Sequence, residues 1–210
     1  MAAGGGPGRV VVMANLAAVA NATGDHRRAI EVGREVAALS RGRDEHGVAH
    51  ALCTIGISYE AIGEIEEARR CFEECVAVSR EHRFAEAEAY GLASLAHLEQ
   101  RDFPADALEH YREGLALFRE IAEPRGIAYC LEGLASVAIL GGDAPRAATL
   151  LGAAGAIRER TGATLDPIEQ AEVQATIAEG RKAIGADAFD TASTEGRIFD
   201  LSQAIDLALT

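Results

Sequence analysis

Apolar and small residues recur along this chain at i, i+3, i+4 and i+7, the spacing that gathers them on one face of an α-helix. The clearest stretch is Leu52, Ile55, Gly56 and Tyr59, broken at Gly63-Glu64 and followed by Ala68, Phe72 and Cys75. Equivalent interruptions fall at Gly24-Asp25, Arg101-Asp102 and Gly142-Asp143. An alanine follows each one, at Ala29, Ala68, Ala107 and Ala147, so the period is 39, 39 and 40 residues. One helix pair cannot bury its apolar face alone, and a fixed period of this length means that pairs stack on their neighbours. The pattern therefore predicts an all-α solenoid of four helix pairs over residues 10–165.

The four copies differ in quality. Repeat 1 supplies Met13, Leu16, Ala17, Ala20, Ala29 and Val36, with Gly33 where an aromatic is expected. Repeat 4 supplies Leu131, Leu134, Ala135, Ala138, Ala147, Leu151 and Ala154. Repeat 3 keeps Ala107 and Tyr111, but Arg101-Asp102-Phe103-Pro104 shifts its first helix by about one residue. From Asp166 the pattern changes. Asp166-Pro167-Ile168-Glu169 reads as a helix start, with an Asp N-cap, Pro at the first position and Glu three residues after the cap. Gly180 lies inside that helix, Gly185 closes it, a second ends at Gly196, and Asp200 starts a third. Terminal units of solenoids must cover an exposed apolar face, so residues 166–210 are expected to form a helical C-terminal cap. Phe189, Ile198, Phe199, Leu201, Ile205 and Leu209 are its expected covering residues. Residues 1–9, rich in Gly and Ala, are expected to be a disordered lead.

Large-large-Gly-Tyr, then Gly, then Ala-aromatic-small is the order in repeat 2, and it resembles the tetratricopeptide repeat (TPR). That resemblance implies a right-handed superhelical TPR-like solenoid, an α-α superhelix. The period exceeds the roughly 34 residues of standard units, so connections or second helices are expected to be longer. A second resemblance rests on 130–197. It is carried by Cys130 to Ala135, Arg146 to Ala154, Ile157-Arg158-Glu159, Gly185, Ala188-Phe189 and Glu195-Gly196-Arg197. These segments resemble the C-terminal TPR region of actinobacterial LuxR-type and antibiotic-pathway-type ATPase transcriptional regulators. The resemblance implies the sensor or scaffold arm of a bacterial signalling or transcription regulator, with a neighbouring ATPase or regulatory domain as partner. No G-x-x-x-x-G-K-[ST] segment is present, so the ATPase is not carried here, and no helix-turn-helix follows Leu209. The chain is expected to be a fragment or a stand-alone relative of that arm.

Charge narrows the partners. With 33 acidic against 20 basic residues, the formal charge is −13, which disfavours direct nucleic-acid binding and an anionic membrane surface. No apolar run reaches the roughly 18–20 residues needed to span a bilayer. The four cysteines at 53, 71, 75 and 130 form no CxxC pair and no disulfide scaffold, so a cytoplasmic protein is expected.

In a TPR array the first helix of each pair lines the concave face. The candidate partner-binding residues are therefore His50, Cys53, Ile57 and Glu60 in repeat 2 and Tyr129, Glu132 and Ser136 in repeat 4. A mixed polar and apolar surface of this kind suits a protein or peptide. A small-molecule sensor whose groove closes on an effector is the alternative. His46, His50 and Cys53 share one helix face and could reach a common metal, but three ligands from one helix need more support, and no metal or cofactor is assigned. Cys71 and Cys75 flank Phe72 at packing positions and are expected as buried free thiols, with redox sensing the alternative. The acidic run Glu64, Glu66, Glu67, Glu73 and Glu74 reads as a solvated face supported by Arg69 and Arg70. Ser, His and Asp are scattered without a G-x-S-x-G elbow, so no enzyme is expected.

Overall fold

The computed structural model describes residues 7–165 and 167–210. Among the described residues every regular element is an α-helix. They run α1 (Pro7–Ala22), α2 (His26–Ser40), α3 (Glu45–Ala61), α4 (Ile65–His82), α5 (Ala85–Glu99), α6 (Pro104–Glu120), α7 (Pro124–Leu140) and α8 (Ala144–Thr161). Three more follow, α9 (Pro167–Ile184), α10 (Ala186–Arg197) and α11 (Leu201–Leu209). Helix α1 begins at Pro7, so residues 7–9 of the expected lead are helical. The rest of the lead and the expected N-cap Asp166 lie outside the described residues. The chain divides into two compact units, Met1–Leu95 and Ala96–Thr210.

In the first unit, α1 packs on α2, α2 on α3 and α3 on α4. Ala29 and Ala68 have no exposed surface. A Cβ added at Gly56 would overlap the ring of Phe72, so Phe72 of α4 fills the space that Gly56 of α3 leaves. At Gly33 an added Cβ would lie 2.7 Å from Ile55, which explains why repeat 1 has Gly rather than an aromatic there.

Left-handed positions mark the repeats, one inside the pair in three of the four copies and one after every pair. Inside a pair, Gly24, Gly63 and Gly142 have φ of 82°, 80° and 82°. The following amide then reaches back five residues: Asp25 to the Ala20 carbonyl at 2.8 Å, Glu64 to Tyr59 at 2.9 Å, Asp143 to Ala138 at 2.8 Å. These bonds satisfy carbonyls that the helix end leaves open. Between pairs, Gly42, Arg83, Ala122 and Gly162 take φ of 76°, 61°, 52° and 69°. Repeat 3 lacks the first device: the Phe103 amide bonds the Glu99 carbonyl, four residues back, at 2.7 Å. Phe103 is the N-cap of α6 and stands four residues before Ala107, as Asp25 stands before Ala29. The residue aligned with the turn glycines is therefore Asp102 rather than Arg101, and α5 is shortened to 15 residues against 17 in α3 and α7.

The second unit repeats the ring-on-glycine contact. Cβ atoms added at Gly133 and Gly126 would overlap Tyr111 and Phe118 of α6, and one at Gly180 would overlap Phe189. The tightest crossing joins α8 and α10. A Cβ at Gly152 would run into the Ser193 carbonyl, and one at Gly196 into the Thr149 carbonyl. Two backbones touch there without side chains between them. Arg146 of α8 donates from Nη2 to the carbonyls of Leu207 and Ala208, at 2.9 and 3.3 Å, closing the end of α11. Asp200 and Gln203 cap its start reciprocally. Of the expected covering residues, Phe189 and Ile205 are buried, whereas Ile198 is 80% exposed and Leu201 37%. Ile198 is the C-cap of α10, and the residue turned inward at that helix end is Gly196.

Gly152→Ala and Gly196→Ala should each destabilise by about 1–3 kcal/mol through overpacking. Gly155→Ala, whose Cβ would meet only Arg197 Nη1 at 3.5 Å, should instead gain up to about 1 kcal/mol of helix propensity. Ala122→Gly should also stabilise, by about 0.5–1 kcal/mol, since a left-handed alanine costs more than glycine loses in chain entropy. Urea unfolding followed by circular dichroism measures all four, and unchanged or raised stability in Gly152→Ala and Gly196→Ala would show that the α8–α10 crossing is looser than described.

Candidate functional site

The α3 residues His50, Cys53, Ile57 and Glu60 fall three, four and three positions apart, so they form one stripe along the helix. Asp44 starts α3 by accepting the Gly47 amide at 3.0 Å, which fixes where the stripe begins. His50 is exposed, Ile57 is 43% exposed, and Cys53 and Glu60 are half-buried. At the N-terminal end, His46 and His50 place their Nε2 atoms 3.2 Å apart. Phe84 meets His46 edge-on, with ring centres 5.1 Å apart, and stacks on His82 at 5.6 Å. Partial desolvation of the ring by its neighbours, then the charge of His46, lowers the pKa of the otherwise exposed His50, so its ring stays neutral further into the acid range. At the other end, Arg34 donates to the Tyr59 hydroxyl and lies over that ring, 5.5 Å from its centre.

Cys53 does not join the two histidines. Its Sγ lies 2.9 Å from Cys75 Sγ on α4. Among the described residues no group of three or more His, Cys, Asp or Glu side chains is placed to hold a metal.

In the second unit, Tyr129, Glu132 and Ser136 of α7 come together on one side of a small cleft. His97, Gln100 and Tyr111 line it too, and Glu169, Glu172, Val173 and Thr176 of α9 lie across it. His97 Nε2 is 3.4 Å from Glu172. The free space is about 40 Å³, room for a few water molecules rather than a drug-sized ligand. Glu132 is the candidate that the structure treats most differently from expectation. Both its carboxylate oxygens accept from Arg158 of α8, each at 2.6 Å, and the two side chains are only 11% and 8% exposed. Burial outweighs the attraction of Arg158 and raises the Glu132 pKa. Glu132 thus spends its charge inside the chain rather than towards a partner.

Arg158 was not among the expected site residues. Its sequence signal is its place, four residues after Ala154 and seven after Leu151, on the apolar stripe of α8. A charge there needs a buried counter-ion. Glu132 and Cys53 hold the same repeat position, one residue after Leu131 and Leu52. Each reaches inward to the second helix of its own pair.

Residues 9–81 match the family model of the tetratricopeptide repeat. No curated protein sequence matches the chain. Among solved structures, the chain is similar to BtubC (BKLC) from P. vanneervenii at 22% identity, TM-score 0.69, covering 91% of this chain and 82% of that one. It is also similar to a kinesin light chain-like protein of Podosopora anserina with nearly identical TPR-like repeats. There the identity is 21% and the TM-score 0.61, over 97% of this chain and 96% of that one. The fold is therefore a TPR-like solenoid, an architecture that generally holds proteins or peptides and is typically non-catalytic. No described helix is long and apolar enough to cross a membrane.

Glu132→Gln or Arg158→Met alone should cost about 3–5 kcal/mol, because each strands a buried charge or its polar partner. The joint replacement Glu132→Leu with Arg158→Met should restore most of that loss. Chemical denaturation of the three variants checks this, and single losses below about 1 kcal/mol would mean the pair is solvated.

Proposed function

We propose that the chain is a non-catalytic protein- or peptide-binding module whose partner docks on the α3 stripe of His50, Ile57 and Glu60, with the half-buried Cys53 beneath it. The observation that carries this reading is the contrast between matching positions. Tyr129 and Ser136 of α7 look onto a cleft crossed by α9, whereas His50 and Ile57 of α3 stand exposed. The stripe offers imidazole and aromatic groups at one end, an isoleucine in the middle and a carboxylate beyond it. A segment presenting an apolar side chain next to a basic one matches that order, and the −13 charge of the chain speeds encounter with a basic partner. The small volume of the α7 cleft lends no support to the small-molecule sensor.

Membership of a larger regulator, as its sensor or scaffold arm, is supported by the resemblance over 130–197. Part of that motif has a packing role here, since Gly152, Gly196, Phe189 and Arg158 are all buried. A second reading has its own support. Val11, Val12, Leu16 and Val19 leave 59%, 67%, 43% and 57% of their surface exposed on α1, an apolar face suited to a neighbouring domain.

The test is recovery of the partner from native lysate, then titration of that partner against Ile57→Asp, Glu60→Lys, Glu74→Lys and Val12→Asp. Glu74 of α4 pairs with Arg41 and serves as the control away from the stripe. Ile57→Asp and Glu60→Lys should weaken binding at least tenfold, about 1.4 kcal/mol, with Glu74→Lys near wild type. Equal weakening by both lysine variants would assign the effect to long-range charge, and loss confined to Val12→Asp would move the site to α1.

A further inference from the structure

The α3 stripe holds a contact that partner binding does not need. Cys53 on α3 and Cys75 on α4 face each other across the helix pair with their sulfurs 2.9 Å apart. An S–S bond of about 2.05 Å requires them to close by less than about 1 Å, a displacement that two χ1 rotations can share. Access and protection are divided between them. Cys53 is half-buried, while Cys75 has no exposed surface and is enclosed by Val48, Ala49, Leu52 and Ala87. Cys75 Sγ also lies 3.4 Å from the Ala49 carbonyl and 3.5 Å from that of Ala87, so three helices meet at this sulfur.

We propose that Cys53 and Cys75 form a reversible intramolecular disulfide, with a small-molecule disulfide as the oxidant. The Cys53 sulfur attacks one sulfur of the oxidant, whose S–S bond breaks, and the departing thiol takes the Cys53 proton. Cys75 then attacks the Cys53 sulfur of the mixed disulfide. A second thiol leaves with the Cys75 proton. One S–S bond forms in the protein for the one broken, the protein loses two electrons, and the oxidant is reduced to two thiols. The hydrogen bond from Cys53 lowers the Cys75 pKa and raises that of Cys53 well above the usual thiol range. The buried sulfur is thereby favoured as the thiolate that completes the exchange. The bond would tie α3 to α4 beneath the middle of the stripe, and its formation does not depend on what binds there.

The experiment treats the folded chain with oxidised glutathione and follows it by intact mass and by peptide mapping after alkylation. The expected result is a monomer that has lost two hydrogens and two of its four titratable thiols, with peptides containing Cys53 and Cys75 cross-linked. Its melting temperature should rise, and dithiothreitol should reverse both changes. Cys71→Ser should behave as wild type, Cys53→Ser should give no cross-link, and Cys75→Ala should stop at a glutathione adduct on Cys53. The proposal is overturned if wild type also stops at that adduct. It is equally overturned if the cross-link involves Cys71, joins two chains, or appears only after denaturation. Circular dichroism of each variant before oxidation separates a failed exchange from a failed fold.

Discussion

At Gly56 the ring of Phe72 occupies the space a Cβ would need, at Gly133 that of Tyr111, at Gly126 that of Phe118 and at Gly180 that of Phe189. Each case sets a residue without a side chain against an aromatic ring of a neighbouring helix. Ala29, Ala68, Ala107 and Ala147 are fully buried as well, and their small side chains take little room between helices. Dispersion energy falls steeply with small gaps, so helices brought this near gain contact along their length. The chain thereby makes a dense interior with few aromatics and no tryptophan. The rest of the structure depends on that closeness, including which residues remain outside. Once the small and large positions of a helix are committed inward, only a narrow stripe is left to meet anything else.

The interior is not wholly apolar, and two of its polar contacts occupy matched places. Cys53 and Glu132 stand at one repeat position, and both look inward to the second helix of their pair. A thiol pair needs little solvation and fits beside Val48 and Leu52. A carboxylate does not, and it is held by a guanidinium that satisfies both of its oxygens. The same location in the fold thus carries either a soft contact open to oxidation or a hard ionic one.

Much of the fold was legible in the sequence because the glycine–alanine–aromatic spacing is itself the packing. Ala68, Phe72 and Gly56 could be placed from period alone. Repeat 3 resisted because Phe103 and Asp102 replace the usual capping acid and turn glycine, and the hydrogen bond that closes the turn changes from five residues back to four. The C-terminal helices were legible as helices, but Ile198 was expected inside and lies outside, since hydrophobicity does not reveal that a glycine two residues earlier takes the inward place. The candidate site was legible as a stripe on α3. The burial of Glu132 was not, because its partner is 26 residues away on another helix and no local spacing relates them. The closeness of Cys53 to Cys75 escaped for the same reason, a separation of 22 residues.

Gly42, Arg83, Ala122 and Gly162 take left-handed backbone at intervals of 41, 39 and 40 residues. Each marks a seam between one helix pair and the next. A seam needs only a residue able to hold positive φ, and arginine and alanine serve as well as glycine at modest cost. A pair cut and rejoined at two seams would carry its glycine–aromatic contact with it and meet its new neighbours through surfaces of the same kind. Such a chain can be lengthened or shortened over generations by copying or losing whole pairs. The repeat is then a unit of inheritance as much as of packing.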